Sequence, residues 1–165
     1  MPDMLCSLVK LPPLEELLSQ LRSIGITIRR PNPWEQSKLF EFIENHFNKG
    51  WAEETSVAFH SKPVTCFIAL HEDKIIGFST YECTRRNFFG PTGVDEDYRG
   101  KNVGKALFFA ALQGLQDLGY VYAIIGGAGP VKFYEKSVGA MVIPFDEGRG
   151  IYDLKEDPRF LKNEK

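Results

Sequence analysis

The sequence predicts one α/β domain on a mixed, mostly antiparallel twisted sheet flanked by helices, and three observations carry that reading. Residues 64–71 and 75–82 are β-rich runs joined by Glu72-Asp73-Lys74, good hairpin chemistry that makes the sheet antiparallel there. Residues 88–94 read as a strand leading through a Gly-containing basic loop into an apolar helix over 103–118, with a further strand over 120–125. If that helix is a crossover, the two strands it joins are parallel and the connection is right-handed. At 165 residues, 43% of them hydrophobic, the chain is long enough for one buried core and short for two.

Taken in order, residues 1–25 are expected to be a helical extension. Leucines at 14, 17, 18 and 21 share one helical face after Pro12-Pro13, and Gly25 stands where a helix stops. The stripe is expected to pack on the chain's own core. Residues 26–29 form a short β-rich run ended by Pro31-Asn32-Pro33. Apolar residues from Trp34 to Phe47 then recur at helical spacing, and Asn48-Lys49-Gly50 breaks that helix before a second helical piece over 51–60. Beyond the crossover, residues 131–138 read as a short helix, 141–145 as a strand, 146–150 as a turn and 151–154 as a last strand. Residues 156–165 are polar and expected to fray.

Net charge is -2, with acidic and basic residues mixed, so there is no global electrostatic argument for nucleic acid or an anionic membrane. Cys6, Cys66 and Cys83 are an odd set without Cys-x-x-Cys spacing, which points to neither a disulfide framework nor a zinc site. A reducing cytoplasm is the simplest setting. The apolar stretch 4–9 is too short to span a bilayer.

The chain is organised around residues 94–119. A helix start leaves N–H groups without internal partners and carries partial positive charge, which makes it an anion seat. Gly100 and Gly104 let backbone approach a ligand, while Arg99, Lys101 and Lys105 add cationic side chains, so phosphate or pyrophosphate is the natural guest. Neither a Gly-Lys-Ser/Thr turn nor a Gly-x-Gly-x-x-Gly turn is present there. Just upstream, Gly90, Pro91 and Gly93 suit a bulge or an opened strand edge, where unpaired backbone can meet an amide-bearing ligand.

At these residues the sequence resembles the GNAT superfamily of N-acetyltransferases, whose acyl-CoA loop reads Arg/Gln-x-x-Gly-x-Gly/Ala before a helix. Arg99 and Gly104 match; Asn102 stands at the usual first glycine and is a residue that tolerates left-handed backbone. Phe133-Tyr134-Glu135-Lys136 before Gly139 matches a second signature, with Gly127 and Pro130 where Asn and Ala are usual. The resemblance covers residues 26–155. It implies a GNAT-like fold with splayed fourth and fifth strands, counted from the run at 26–29, and with pantetheine in the gap. It also implies acetyl-CoA as donor, bound by Val94, Arg99, Gly100, Lys101, Asn102, Val103, Gly104 and Lys105, mostly through backbone N–H groups.

An acyltransferase aligns donor and acceptor, stabilises an oxyanion and protonates the leaving sulfur. An exposed backbone N–H near Val94 is the candidate for the oxyanion. The resemblance points to Tyr134 for the proton, with a packing tyrosine as the competing reading. Glu82 is one candidate general base, with Glu53 and Glu54 as others, each against the reading of a solvated carboxylate. Trp51 and Phe89 are candidate walls of an acceptor pocket. Cys66 and Cys83 lack a His and an orienting carboxylate, and His46, His60 and His71 lack metal-ligand spacing.

The expectation is therefore a single domain over residues 1–165 that transfers acetyl from acetyl-CoA to an amine in a ternary complex, without a metal. Small amine, amino acid, peptide N-terminus and protein lysine remain open as acceptors, and so does a homodimer. The rival from another class is a non-catalytic acyl-CoA-binding sensor or interaction module.

Overall fold

The computed structural model describes residues 1–144 and 150–154. In chain order the elements are β1 (Met4–Ser7), α1 (Glu15–Ser23), β2 (Ile26–Arg29), α2 (Gln36–His46), α3 (Lys49–Ser56), β3 (Cys66–His71) and β4 (Lys74–Tyr81). They continue with β5 (Phe88–Val94), α4 (Val103–Asp117), β6 (Tyr122–Ile125), α5 (Val131–Val138) and β7 (Met141–Val142). The strands form one sheet in the order β2-β3-β4-β5-β6-β1-β7. Every neighbouring pair is antiparallel except β5 and β6, which run parallel across the α4 crossover.

The β3–β4 hairpin turns at Glu72 and Asp73, both at positive φ (50° and 61°), the geometry whose twist suits a tight hairpin. Helix α4 is apolar over most of its circumference because it is buried, with Phe108, Leu112 and Leu115 packed against Met4, Cys6, Phe89 and Ile125. Leu21 of α1 is buried with Val103, Ala106 and Leu107 of α4, and Leu14 and Leu17 pack on the same cluster, so the leucine stripe serves this core. A separate cluster joins α2 and α3, through Leu39, Phe42, Ile43 and Ala52, to Cys66, Ile68 and Phe78 of β3 and β4. Each fully buried large side chain in these clusters contributes about 1.5–3 kcal/mol, so the α4 and α2–α3 cores hold the sheet between them.

Two expectations change. Residues 1–25 hold a strand as well as a helix, since Met4–Ser7 pairs with β6 on one side and β7 on the other. Ile151–Asp153 is a 3₁₀ turn rather than a last strand, with the Gly150 N–H donating to Asp153 Oδ2 at 3.0 Å. The edge of β6 that another strand would need is filled by β1. The expected turn at 146–150 lies outside the described residues apart from Gly150, as does the tail at 156–165.

Candidate active site

Strand β5 opens the sheet. It pairs with β6 only at Phe88 with Ile124 and Phe89 with Ile125, after which the two strands part. Pro91 has no N–H to give a ladder, and Gly90 sits at φ 112°, which a side chain would resist. The β4–β5 register shifts between Ser79 and Tyr81, the bulge foreseen from the glycines and proline. The buried Thr80 hydroxyl donates to the Pro91 carbonyl at 3.0 Å, so the distortion strands no acceptor there. Further along, the Asp95 N–H donates to the Ile76 carbonyl at 2.9 Å. Successive N–H groups of an extended strand point to opposite edges, so that of Val94 faces the opening.

The loop to α4 has the shape an anion seat needs. Gly100 is left-handed (φ 78°), and so is Asn102 (φ 64°, ψ 10°), which precedes the helix without capping it through its side chain. The Ala106 N–H donates to the Asn102 carbonyl at 3.0 Å and so begins the intrahelical ladder, which leaves the preceding N–H groups turned outward. A Cβ at Gly104 would come no closer than 3.5 Å to its own chain, at Val94 Cγ2, and one at Gly100 would meet nothing within 4 Å. Arg99 is drawn to Glu96 at 3.2 Å, and Lys101 Nζ donates to the Asp97 carbonyl at 3.2 Å while lying 4.9 Å from the Tyr98 ring.

A cavity of about 690 Å³ extends from this loop into the opened strand. It is lined by Val94, Arg99, Gly100, Asn102, Val103, Gly104 and Lys105 of the expected cofactor set, and by Tyr134. Lys101 is the one member outside the lining. A second cavity of about 310 Å³ also borders β5, among Trp51, Pro91, Gly127 and Tyr152. The two share Phe89, Thr92, Pro130 and Tyr134.

Tyr134 therefore faces both spaces. It is 6% exposed, packed edge-on against Phe108 and Phe89, and burial pushes its phenol up to about 12, so it holds its proton at neutral pH. Glu82 lines neither cavity. It occupies the β4–β5 turn at φ 63°, where its carboxylate accepts the Asn87 N–H, so the local turn rather than a substrate explains its position. Cys6, Cys66 and Cys83 are buried free thiols, and burial raises all three, the reverse of what an acyl-enzyme nucleophile requires.

Glu54, which the sequence reading ranked no higher than its neighbours, also lines neither cavity but bonds a residue that does. Glu54 Oε1 accepts from the Tyr152 hydroxyl at 2.8 Å and from the Thr84 hydroxyl. Its sequence signal is the pair Trp51 and Glu54, three apart on α3 and hence on one helix face. Asn48 sets that face by capping the helix, its Oδ1 accepting the Trp51 N–H at 2.9 Å. Tyr152 carries no such signal, because the strand expected there would have placed it elsewhere.

An opened parallel pair beside an anion-seat loop, with a second cavity meeting it at a buried tyrosine, defines a GNAT-like domain. Residues 62–137 match the family model for the acetyltransferase (GNAT) domain. No curated protein matches the sequence. Among solved structures, the chain is similar to the GCN5-related glucosamine N-acetyltransferase region of a fungal multi-domain GH3 β-N-acetylglucosaminidase, with TM-score 0.69 and 14% identity over 86% of this chain and 19% of that one. It is also similar to a GCN5-related N-acetyltransferase from Sphaerobacter thermophilus, with TM-score 0.65 and 20% identity over 86% of this chain and 48% of that one. This chain therefore spans less than half the length of either. A GNAT family acetyltransferase from Brucella melitensis, solved in complex with acetyl-CoA, has TM-score 0.55 and 17% identity over 76% of this chain and 92% of that one. At these identities the likeness is one of fold. No helix among the described residues is long and apolar enough to cross a membrane.

Proposed function

We propose that this chain is an acetyl-CoA-dependent N-acetyltransferase that passes acetyl directly to the amine of a small acceptor within a ternary complex. The observation that carries the reading is the meeting of the two cavities at Tyr134. In this reading the α4 N-terminus and the loop at Gly100 and Asn102 hold the pyrophosphate, and pantetheine lies along the opened edge of β5 with its thioester toward Tyr134. The Val94 N–H polarises the carbonyl, and Tyr134 protonates the departing sulfur. Tyr134 suits the role because its raised pKa keeps its hydroxyl protonated at neutral pH, ready to donate toward the sulfur as negative charge grows there. A reducing cytoplasmic setting belongs to the same proposal, supported by the three unpaired, buried cysteines.

The second cavity supports a small acceptor, since about 310 Å³ is at the low end of the roughly 300–1,000 Å³ usual for ligand sites. Amino sugars are the class to examine first. The fungal region named above is a glucosamine N-acetyltransferase, and a further fold neighbour is described as an aminoglycoside acetyltransferase (TM-score 0.52, 17% identity). The experiment is calorimetric titration with acetyl-CoA, CoA, ATP and NAD in parallel. Selective binding of acetyl-CoA and CoA is the expected result. Binding without turnover on any amine would favour the sensor reading, and absence of binding would end the proposal.

A further inference from the structure

The acceptor cavity has an acid wall at Tyr152. Tyr152 lines the cavity, and its hydroxyl donates to Glu54 Oε1 at 2.8 Å. The Thr84 hydroxyl bonds the same oxygen and stands 3.4 Å from the Tyr152 hydroxyl, closing a three-membered polar cluster. The three come from α3, the β4–β5 turn and the turn at Gly150, so tertiary structure alone assembles them. Around them the cavity is walled by Trp51, Phe89, Pro91 and glycines, and no Lys, Arg or His is in its lining among the described residues.

Met1 also lines the cavity, with its terminal ammonium paired to Asp153 Oδ2 at 3.4 Å. A mainly apolar chamber without a cationic side chain, and with one carboxylate behind one hydroxyl, suits a cationic amine on a small hydroxylated body. The Trp51 and Tyr152 rings meet its C–H surface and attract its positive end, and the cluster meets its polar groups.

Resting on the acetyltransferase reading, we propose that Tyr152 and Glu54 form the proton exit for the acceptor, Tyr152 as the group that touches the amine and Glu54 as a positioning residue and proton sink acting through it. The acceptor ammonium gives a proton to the Tyr152 oxygen as the Tyr152 hydroxyl proton passes to Glu54 Oε1. The neutral amine then bonds to the thioester carbonyl carbon. As the tetrahedral intermediate collapses, the C–S bond breaks and the sulfur takes the Tyr134 proton, which the intermediate's second N–H proton replaces. Glu54 later releases its proton to water, so the net products are amide, CoA thiol and one proton.

Tyr152 is suited to relay rather than to ionise. Burial raises its pKa beyond the ordinary tyrosine range, the neighbouring Glu54 and Asp3 carboxylates add to the rise, and the Thr84 hydroxyl opposes it. Among the described residues, the other titratable or charged groups around the cluster include Asp3, Cys83, which feels the Glu54 charge, Arg85, whose Nη1 donates to the Thr84 carbonyl at 2.7 Å, and the Met1 ammonium with Asp153, which pair at 3.4 Å.

The test uses D-glucosamine as acceptor and acetyl-CoA as donor, with kcat/KM measured from pH 6 to pH 10 for wild type, Glu54→Gln and Tyr152→Phe. Acetyl-CoA affinity is followed calorimetrically for each. Loss of about 100-fold at pH 7 in both variants is expected, with donor affinity unchanged. In each, activity recovers toward wild type as pH rises through the amine's own pKa, a shift of the acid limb that damage to the fold would not produce. Variant profiles parallel to wild type would overturn the relay, and so would a wild type that binds acetyl-CoA but leaves glucosamine unacetylated. Failure of the wild type to bind acetyl-CoA at all is a different result: it removes the donor reading, and the relay falls with it.

Discussion

Asp3 Oδ1 accepts a hydrogen bond from the Gly127 N–H at 2.8 Å, while Oδ2 of the same carboxylate accepts from the Ile151 N–H at 2.9 Å. One side chain just before β1 thus fastens both the loop that leaves β6 and the turn that carries Tyr152, two walls of the smaller cavity. Gly127 sits at φ 56°, and a Cβ there would stand 2.7 Å from the Tyr152 ring, so the loop passes the aromatic wall with no room to spare. Asp3→Ala is expected to leave two backbone donors without their acceptor and to cost about 1–3 kcal/mol in chemical denaturation. The KM for the acceptor should rise while acetyl-CoA affinity, set at the far end of β5, stays within a factor of two or so of wild type.

Tyr134→Phe separates chemistry from packing. The ring, which makes the contacts to Phe89 and Phe108, is retained, so thermal stability should stay within about 0.5 kcal/mol of wild type. Loss of the proton donor should lower kcat by roughly 100-fold with acetyl-CoA affinity preserved. With its pKa pushed up to about 12, Tyr134 stays protonated through pH 10, so it should produce no alkaline fall in kcat below that point. Unchanged kcat in the variant would make Tyr134 a packing residue.

Gly104→Asp sets helix stability against ligand binding. An acidic residue in the first turn of α4 complements the helix dipole, and the nearest atom to a new Cβ is at an ordinary 3.5 Å, so the fold should hold. The same carboxylate lies in the lining of the larger cavity, where it would repel a pyrophosphate. Acetyl-CoA affinity is expected to fall by at least about 30-fold, equivalent to roughly 2 kcal/mol, with an unchanged melting temperature. Gly104→Ala is the control and should bind nearly as wild type does.

The wall of the larger cavity was legible in the sequence because it is local. The strand at β5, the loop at Gly100 and Asn102 and helix α4 follow one another within residues 88–117, so pattern and spacing describe most of it. The position of β1 was not, because Met4-Leu5-Cys6-Ser7 is a short apolar run whose partners, Tyr122 to Ile125 and Met141-Val142, lie more than a hundred residues away. The polar cluster escaped notice for the same reason. Glu54 and Tyr152 are 98 residues apart, and each alone resembles an ordinary surface or packing residue. Glu82, expected at a strand end, is engaged by its own turn, where its carboxylate accepts the Asn87 N–H, a contact that strand periodicity does not reveal.

The pair of Glu35 and Arg29 gives a prediction on acid stability away from the site. Glu35 accepts two hydrogen bonds from the Arg29 guanidinium, each at 2.8 Å, and a third from the Asn32 N–H at 2.7 Å. The Arg29 hydrogen bond, with smaller help from Asn32, lowers the Glu35 pKa to about 2. A folded-state pKa below the unfolded one, about 4.3, means that the carboxylate stabilises the fold fully above pH 5, and that this contribution is lost as pH falls toward 2. The Arg29 side chain is 39% exposed, so solvent screening reduces the contribution to about 1 kcal/mol. Glu35→Gln should therefore be about 1 kcal/mol less stable than wild type in urea at pH 7 and nearly equal to it at pH 2, with the two curves converging between those limits. A constant difference across that range would mean that Glu35 acts through packing rather than through its charge.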